Sequence, residues 1–536
     1  MTDRWGRILH VDLSSGECRF EELDPDTCRF WIGGKGLAGY YLFPEITRSW
    51  KDPSMPLVFM TGPLTGTLTP ASGRICVMSK SPLTGTVGDC SVGGNLGWEM
   101  RKAGIDGIVI TGRSPRLCGI EIYDGNLSIE NAGWLAGAGI DELFERLKDK
   151  GSVAGIGPAA EHGVLFSSIM IDGTFAAGRG GLGLVSAYKN LKYITVRGTG
   201  SVHVHDQEKL RTASEDIRRL VAATPVITGE HGLQNCGTAA CYDLTSCRRM
   251  MPTANFRRTF FSQASSMNSH AFSKAYRSKR YGCKACHILC KRVGEDGTHL
   301  PEFETMSHFS ALIENDDLQA VTEANMICNQ TGMDTISAGS ALACFSEISG
   351  EKLTAERITG LLLDIAFRRG EGVELGLGSF LFAKSKGCPN LSMSVKGMDL
   401  PGYDPRGAYG MALGYVTSTR GACHLRAYPI SHEILRKPVA TDRFSFEGKA
   451  RIVKIAEDMN AVIDSLTACK FFFFGCSLEE YASAFTAVTG AETSAQDLLA
   501  AGERIYFRDR IMNSKCGFTS EDDDLPPRFF SEAGSS

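Results

Sequence analysis

The amino-acid sequence predicts an α+β protein with a β-rich N-terminal domain followed by two mostly α-helical domains. Over about the first 200 residues, short apolar runs alternate with glycine-containing turns, and regular βαβ alternation is scarce. From residue 204 on, apolar residues recur at helical spacing instead. With a second change near residue 395, these patterns predict domains over residues 1–204, 205–395 and 396–536.

The first domain begins with a predicted β-hairpin over residues 7–22, which turns at Ser14-Ser-Gly16. Asp24 and the proline after it favour the start of a helix that ends at Gly33-Gly34. Four later runs are short, apolar and bounded by glycine turns, as expected of strands. They cover residues 56–60, 74–78, 107–111 and 118–122.

The helical part begins with residues 206–223, where helical periodicity is combined with mixed charge and Pro225 follows the end. The other predicted helices cover residues 317–349, 353–369, 447–466 and 494–512. The run Phe471–Phe474 predicts a buried strand or a helical turn. The acidic tail over residues 520–536 predicts an extended segment.

The composition is that of a soluble globular protein. The chain has 536 residues, of which 43% are hydrophobic and 22% charged, and its net charge of −4 gives no reason to expect nucleic acid as a partner. There is no apolar run of about 18 residues to span a membrane, and the first residues lack the apolar core of a signal peptide. Eighteen cysteines without a secretion signal indicate the cytoplasm.

Three cysteines, Cys283, Cys286 and Cys290, lie in a C-x2-C-x3-C pattern, and Cys469 is the candidate fourth member. Thiolates this close repel one another unless a cation binds them, as an iron–sulfur cluster or a zinc ion would. Three clustered ligands with one distant ligand are common for a [4Fe–4S] cube. Zinc usually uses a second close pair, whereas Cys469 has only Cys476 nearby. A structural zinc site and unligated thiols stay open at this point.

A glycine loop matches the dinucleotide fingerprint G-x-G-x-x-G at Gly178, Gly180 and Gly183. The match is weak because no acidic residue stands about 20 positions further on. A better interpretation is that backbone N–H groups and Arg179 hold a phosphorylated ligand, and Arg74 would serve likewise. The alternative for each arginine is an ordinary surface or ion-paired residue.

Two segments have a similar design at the end of a predicted helix. Asn329 stands five residues before Asp334, and Asp464 stands five residues before Cys469. Either segment alone is typical of a helix C-cap. As a pair, one of which ends on a candidate cluster ligand, they indicate two similar loops that hold two similar halves of one ligand.

Two titratable residues are candidates for proton transfer. Glu304 stands among apolar residues, where the pKa of a carboxyl group rises. His424 lies in a segment that follows Gly421. Each could instead be structural, but a glutamate and a histidine beside a redox cluster suit proton transfer coupled to electron transfer.

Taken together, these residues resemble the tungsten-containing aldehyde:ferredoxin oxidoreductase family. The resemblance runs from Trp5 to Phe529. The segments that carry it are residues 62–66, 80–85, 177–181, 188–192, 283–290, 403–407 and Cys423-His424.

The resemblance implies that the β-rich domain forms a base for the cofactor. It also implies tungsten, or rarely molybdenum, held by the dithiolenes of two pterins, with a [4Fe–4S] cube on Cys283, Cys286, Cys290 and Cys469. The positions that match cofactor-binding residues of the family are Arg74, Ser91, Gly93, Arg179, Gly180, Gly181, Asn329, Asp334, Arg426, Asp464 and Ala468. Ser91 replaces the usual asparagine near a Mg²⁺ ion that bridges the two pterin phosphates.

By the same resemblance, Glu304 and His424 match the acid and the histidine beside the metal. The implied reaction turns an aldehyde into a carboxylic acid, with His424 polarising the carbonyl and Glu304 moving the proton. Electrons would leave singly through the cube to ferredoxin or another redox protein. The alternatives are a related tungstopterin enzyme with a non-aldehyde substrate, alone or in a complex, and a non-catalytic iron–sulfur electron carrier.

The sequence departs from the family pattern at three places. The second pterin loop has Thr467-Ala468 where Gly-Leu is usual, and threonine is harder to place if that turn needs a positive φ. Met326 replaces the histidine that binds an intersubunit iron, so that iron is not expected, and a homodimer or a complex subunit both stay open. The sequence stops soon after Phe529-Phe530, which predicts a shortened wall of the third domain.

Overall fold

The computed structural model describes residues 5–437 and 439–534. The fold is α+β, as predicted, with a strand-rich part followed by a helical part. The first residues of the chain, on which the absence of a signal peptide was judged, lie partly outside the described residues. The same holds for residues 535–536 of the predicted extended tail.

The strands of the N-terminal part form two six-stranded sheets. The strands of the first sheet are β1 (Arg7–Asp12), β2 (Cys18–Glu22), β3 (Leu57–Met60), β4 (Ile75–Lys80), β5 (Val87–Val92) and β6 (Gly107–Thr111). Those of the second are β7 (Cys118–Tyr123), β8 (Asn126–Asn131), β9 (Ser152–Ile156), β10 (Ile169–Ile171), β11 (Phe175–Ala177) and β12 (Leu191–Arg197).

The strand orders are β2-β1-β6-β3-β4-β5 and β11-β10-β9-β12-β7-β8. Each sheet has one parallel pair, β1 with β6 and β12 with β7, and the other pairs are antiparallel. Apolar side chains from both sheets, such as Leu9 and Ile108 from the first and Ile120 and Ile194 from the second, share one hydrophobic core. This shared core holds the loops at the sheet ends in a fixed relation to each other.

The helices of this part are α1 (Pro25–Trp31), α2 (Gly34–Leu42), α3 (Leu96–Lys102), α4 (Ile140–Leu147), α5 (Pro158–Glu161) and α6 (Leu182–Tyr188). The predicted start of α1 is confirmed, since the Asp24 side chain accepts a hydrogen bond from the Thr27 N–H. Helix α1 ends at Trp31, two residues before the predicted end at Gly33-Gly34, and Gly34 begins α2, which was not predicted. Gly36 is required inside α2, since a Cβ there would lie 1.9 Å from the Trp31 carbonyl oxygen. Glycines occupy positions of α2 that pack closely against neighbouring segments. They stand in place of the apolar side chains whose periodicity would have predicted this helix from the sequence.

The helical part contains seventeen further helices among the described residues. They are α7 (Gln207–Ala222), α8 (Pro225–Thr228), α9 (Leu233–Cys236), α10 (Ala240–Cys247), α11 (Ser269–Tyr276), α12 (Phe303–Phe309), α13 (Leu318–Thr331), α14 (Thr335–Ser349), α15 (Ala355–Phe367), α16 (Gly372–Leu375), α17 (Ser379–Ser385), α18 (Tyr409–Thr417), α19 (Ile430–Glu433), α20 (Lys449–Ser465), α21 (Leu478–Thr489), α22 (Ala495–Lys515) and α23 (Arg528–Ser531). Two small hairpins accompany them, β13 (Lys279–Tyr281) with β14 (Lys291–Val293) and β15 (Ser394–Val395) with β16 (Met398–Asp399).

Two predictions for this part are corrected. The single helix predicted over residues 317–349 is two helices, because Gly332 ends α13 with a φ of 76° and Asp334 caps the start of α14. The tail predicted as extended contains α23, and its Arg528 pairs with Glu347 at 2.6 Å. The buried ion pair holds the tail against the helical core. The run Phe471–Phe474 forms a short helical turn, as one of the two predictions for it stated.

Helix α7 packs against α21 through Leu210, Ile217 and Phe485. A helix at the start of the second predicted domain therefore joins the core of the C-terminal helices. The domain boundaries near residues 204 and 395 stay predictions. Among the described residues, no helix is long and apolar enough to cross a membrane, and the cytoplasmic location stays a prediction.

Candidate active site

Two adjoining cavities bring together most of the side chains that the sequence singled out. One cavity of about 530 Å³ is lined by, among others, Gly93, Cys283, Cys290 and Asn329, and one of about 320 Å³ by Ser91, Arg179, Glu304, His424, Arg426 and Cys469. Arg74, Asp334 and Phe471 line both. The predicted residues that are part of neither lining are Gly180, Gly181, Cys286, Asp464 and Ala468. A third cavity, of about 600 Å³, lies elsewhere and contains none of the predicted residues.

The four candidate cluster cysteines lie near one another. Burial, and then the charge of Cys469, raise the pKa of Cys286 to about 11. The thiols of Cys469 and Cys283 also raise the pKa of Cys290, after burial and Glu302. The fold therefore brings Cys469 to the cluster segment across 179 positions of sequence (469 − 290).

Four cysteine thiols are the set of ligands that a [4Fe–4S] cube uses. Among the residues that the structure describes, no group of three or more His, Cys, Asp or Glu side chains is arranged to hold one metal ion. A zinc ion would draw four thiolates tightly together, whereas in a [4Fe–4S] cube each thiolate binds its own iron. The four thiols therefore fit a cube, and a structural zinc site stays the alternative that the sequence left open. Gly93 is required beside it, because a Cβ there would lie 2.4 Å from the Cys283 Sγ.

Arg74 connects the cysteines to the strand that carries Ser91. Its Nε donates to Ser91 Oγ at 3.0 Å, its Nη2 donates to the Ser91 carbonyl at 2.7 Å, and its Nη1 lies 3.9 Å from the Cys469 Sγ. Burial alone would lower the pKa of Arg74, but the thiolates of Cys469 and Cys283 raise it. The guanidinium is thus a fixed positive charge beside the cluster ligands.

Arg179 holds the glycine loop against two later segments. Its Nη1 donates to the Ala422 carbonyl at 2.8 Å and its Nη2 to the Asp399 carbonyl at 2.6 Å, while its Nε faces Asp334 at 3.4 Å. Gly181 has a φ of 75°, and a Cβ there would lie 2.0 Å from the Leu165 carbonyl oxygen. The guanidinium therefore fixes the loop, of which Gly178 lines both cavities.

The first of the two similar loops packs against the second sheet, and the second packs against helix α2. In the first, the Ser168 N–H donates to the Gly332 carbonyl at 2.8 Å, which ties the loop to the second sheet. In the second, a Cβ on Gly34 would lie 2.3 Å from the Asp464 carbonyl oxygen. Thr467 has a φ of 56°, so the residue flagged in the sequence does adopt the left-handed conformation. Its hydroxyl is bonded to that of Thr65 at 2.6 Å, which helps to hold this strained conformation.

A buried ionic network lies behind the second loop. Arg426 Nη1 donates to Asp89 Oδ2 at 2.8 Å and to Asp464 Oδ2 at 2.9 Å. Lys470 pairs with Asp464 at 2.9 Å, and Lys35 pairs with Asp89 at 3.1 Å. The sequence did not identify Lys35, Asp89 or Lys470 as site residues. Lys470 directly follows the candidate ligand Cys469, and this position was the one signal in the sequence that could have indicated it.

Arg420 and Cys423 form a second pair that the sequence did not indicate. Arg420 Nη2 donates to the Cys423 Sγ at 2.9 Å. Burial would raise the pKa of Cys423, but Arg420 and Arg426 lower it to about 6. Cys423 is therefore a buried thiolate at neutral pH.

Glu304 and His424 face each other at the smaller cavity. Glu304 Oε1 lies 3.5 Å from His424 Nε2, and Glu304 Oε2 accepts a hydrogen bond from the Gly402 N–H at 2.7 Å. Burial raises the pKa of Glu304 to about 8. Burial, and then Arg179 and Arg420, hold the pKa of His424 well below its usual value. At neutral pH the carboxyl group is protonated and the imidazole is neutral.

The wall beside this pair is aromatic. The Tyr403 and Tyr428 hydroxyls lie 3.1 Å apart, and Phe471 stacks on Phe474 with ring centroids 6.2 Å apart. Tyr428 also contacts Phe474, at 5.9 Å between centroids. Tyr428 has a φ of 50°, which is costly for an aromatic residue and is typical of functional sites.

Comparisons with known proteins bear on the family. Residues 8–198 match the family model "Aldehyde ferredoxin oxidoreductase, N-terminal domain", and residues 212–536 match "Aldehyde ferredoxin oxidoreductase, domains 2 & 3". The chain belongs to the aldehyde ferredoxin oxidoreductase family. The resemblance predicted from the sequence is thereby confirmed.

Several members of the aldehyde ferredoxin oxidoreductase family and its relatives resemble this chain over nearly its whole length. The tungsten-containing aldehyde ferredoxin oxidoreductases of Pyrococcus furiosus and Thermococcus kodakarensis are each 36% identical, over 99% of this chain and 92% of theirs. An "Aliphatic sulfonate oxidoreductase, WOR-like subunit" of P. furiosus is 24% identical, over 98% of this chain and 89% of its own. The solved structure of the "Active site complex BamBC of Benzoyl Coenzyme A reductase in complex with 1,5 Dienoyl-CoA" shares the fold, with a TM-score of 0.84 and 22% identity over 98% of this chain and 91% of the other.

Members of this family are tungsten or molybdenum pterin enzymes with an iron–sulfur cluster. The side chains here fit such a group. Among the described residues, the Nε atoms of Arg420 and Arg426 and the Nδ1 atom of His424 are buried without a hydrogen-bond partner. Buried polar atoms without partners are costly, and an anionic pterin in the adjoining cavities would supply the missing partners.

Proposed function

We propose that this protein oxidises aldehydes to carboxylic acids and passes the electrons to ferredoxin or another iron–sulfur carrier. The observation that carries the proposal is the 3.5 Å approach of Glu304 Oε1 to His424 Nε2 at the cavity wall. The relatives named as tungsten-containing aldehyde ferredoxin oxidoreductases support it. The reaction is RCHO + H₂O → RCOO⁻ + 3 H⁺ + 2 e⁻, and two carrier molecules each take one electron.

The residues proposed to hold the cofactors are those of the two cavities and the loops behind them. Cys283, Cys286, Cys290 and Cys469 would hold the [4Fe–4S] cube, which supplies one-electron transfer to the carrier. The pterin-bound metal supplies two-electron oxidation with transfer of oxygen. The pterin contacts would come from Arg74, Gly93, Arg179, Gly180, Gly181, Asn329, Asp334, Arg426, Asp464 and Ala468, and Ser91 would help to hold a Mg²⁺ ion.

The protonation of the catalytic pair follows from its hydrogen bonds. Glu304 Oε2 accepts from the Gly402 N–H, so the carboxyl proton sits on Oε1 and is directed at His424 Nε2. The neutral imidazole then carries its own proton on Nδ1, which has no partner among the described residues. Nδ1–H would donate to the carbonyl oxygen of the substrate. As that oxygen gains charge, the Glu304 proton moves toward the imidazole and stabilises the charge.

The aromatic wall favours an aldehyde with an aromatic or bulky apolar group. Tyr403, Tyr428 and Phe471 line the cavity that contains the catalytic pair. Their rings would contact a planar substituent edge-to-face or offset, an arrangement that adds about 0.5–1.5 kcal/mol per pair beyond simple burial. We therefore name benzaldehyde as the first substrate to test, with acetaldehyde as the small comparison.

The proposal is tested by metal analysis of anaerobically purified protein and by benzaldehyde-dependent reduction of benzyl viologen. Tungsten or molybdenum near one per chain, iron near four and turnover of an aldehyde are expected. Iron without tungsten or molybdenum would instead indicate an electron carrier. Full metal content with no turnover of any aldehyde would favour a non-aldehyde substrate, as the name of the sulfonate relative describes for that protein.

A further inference from the structure

We propose that residues 277–292, together with the neighbouring helix α7, form the docking surface for an acidic one-electron carrier protein. This inference rests on the proposed function. The segment is named here the basic hairpin. It includes strands β13 and β14 and the three clustered cysteines Cys283, Cys286 and Cys290.

The basic hairpin has an unusual charge composition. It contains no Asp or Glu, although the whole chain has a net charge of −4. Its six basic residues are Arg277, Lys279, Arg280, Lys284, Lys291 and Arg292. In a chain of negative net charge, a segment with six basic residues would normally also contain acidic residues within its own sequence.

Half of these charges have carboxylate partners. Arg277 pairs with Glu295, Lys284 with Glu99 and Lys291 with Glu302. The other three, Lys279, Arg280 and Arg292, form no ion pair among the described residues. Arg280 donates to the Asn235 amide oxygen, and Arg292 donates to backbone carbonyls. The basic hairpin therefore keeps uncompensated positive charge.

The register of the hairpin makes this charge unfavourable within the protein itself. Arg280 stands directly opposite Arg292 in the antiparallel pair. Like charges opposite each other destabilise a sheet. Helix α7 lies beside the hairpin, because its Ile217 shares a hydrophobic core with Ile288, and its Arg218 forms no ion pair among the described residues. An acidic partner would relieve this repulsion and would also be attracted by the charge of Arg218.

The unpaired charge surrounds the ligands of the proposed cube. Cys283 and Cys286 are half-buried, whereas Lys284, Ala285 and His287 between and beside them are exposed. A carrier that docks here would come close to the cube with no protein layer between them. In each docking event the reduced cube would lose one electron and the oxidised cluster of the carrier would gain it. An acidic iron–sulfur protein fits both the charge and the redox chemistry, and nucleic acid fits only the charge.

The experiment uses the holoenzyme with an acidic bacterial [4Fe–4S] ferredoxin and, separately, with the cationic dye benzyl viologen. In the double variant Lys279→Glu/Arg280→Glu, the KM for ferredoxin should rise about 10-fold and lose most of its dependence on salt. Turnover with viologen should not fall. The matched control is Lys352→Glu/Arg451→Glu, which makes the same change of charge at exposed residues outside the basic hairpin and should leave the KM for ferredoxin unchanged.

Arg218→Glu is the second variant, because α7 carries none of the cluster cysteines and its substitution does not disturb the hairpin. It should raise the same KM by a smaller factor. An unchanged KM in both variants, or an equal rise in the control, would overturn the proposal. If no aldehyde is turned over, titration of ferredoxin into the protein at low salt still tests the surface, because binding does not need the reaction. Double-stranded DNA that binds as tightly as ferredoxin would also overturn it.

Discussion

Glu304 Oε1 lies 3.5 Å from His424 Nε2, although 120 positions of sequence separate the two residues (424 − 304). The Gly402 N–H occupies the other carboxyl oxygen and thereby directs the proton of Glu304 at the imidazole. The contact thus places a proton donor beside the imidazole, and burial together with Arg179 and Arg420 keeps that imidazole neutral by lowering its pKa.

Replacing Glu304 by glutamine should lower kcat with benzaldehyde about 10²-fold or more, because general-acid catalysis contributes on that order. The pKa of Glu304 is about 8, so activity of the native enzyme should fall as the pH rises through 8 and the carboxyl group loses its proton. Glu304→Gln should remove this alkaline limb of the kcat/KM profile. Glu314→Gln, an exposed glutamate on the same segment, serves as the control. An unchanged profile in Glu304→Gln would remove the proton-transfer role of this residue.

The Cys423 thiolate should make thermal stability depend on pH. Its pKa in the folded protein, about 6, is below the usual thiol value, so the unfolded state binds more protons between these values. The stabilising contribution is therefore fully present above the usual thiol pKa and is lost as the pH falls through 6. The melting temperature of Cys423→Ala, measured from pH 6 to 9, should rise less with pH than that of the native protein. Parallel curves for the two proteins would contradict the thiolate assignment.

Substitution of Gly34 by alanine should displace the second pterin loop. A Cβ there would lie 2.3 Å from the Asp464 carbonyl oxygen, and the backbone has a positive φ of 36°. Gly16→Ala provides the comparison, because Gly16 has a φ of 77° but nothing lies within 4 Å of its Cβ position. Gly16→Ala should cost about 1 kcal/mol through backbone strain alone, with full tungsten or molybdenum content. Gly34→Ala should cost more and retain less of that metal; equal metal content in the two variants would disconnect this loop from the cofactor.

Within the run Phe471–Phe474, one phenylalanine lines the cavity and another packs against the protein. Phe471 lines the cavity, whereas Phe473, two residues on, stacks on Tyr481 with centroids 4.8 Å apart. Phe471→Ala should lower kcat/KM for benzaldehyde about 3- to 10-fold, which corresponds to the loss of one aromatic pair, and should leave acetaldehyde nearly unaffected. Phe473→Ala should lower thermal stability without changing the ratio of the two substrates. A Phe471→Ala enzyme that loses both substrates equally would place this ring outside the substrate contact.

Local patterns in the sequence determined the secondary structure and the cluster segment. Alternation of apolar residues placed the strands of β1, β2, β3 and β6, and Asp24 placed the start of α1, because these signals act over a few residues. The spacing of Cys283, Cys286 and Cys290 identified a ligand segment without reference to the rest of the chain. Family resemblance added the match of Glu304 and His424, which their local context alone did not distinguish from structural residues.

Tertiary structure decided which charges face one another. Arg420 beside Cys423, and Lys35 beside Asp89, are pairs that no spacing rule predicts, since the desolvation and mutual attraction that define them arise only when distant segments are buried together. The same is true of the close approach of Gly34 to the Asp464 carbonyl oxygen near the end of α20, which leaves no room for a side chain on Gly34. The sequence thus determined many of the strands and helices and the cysteine ligand segment, because those depend on neighbours in the chain. Only the fold determined the protonation states of the site, because a pKa depends on neighbours in space.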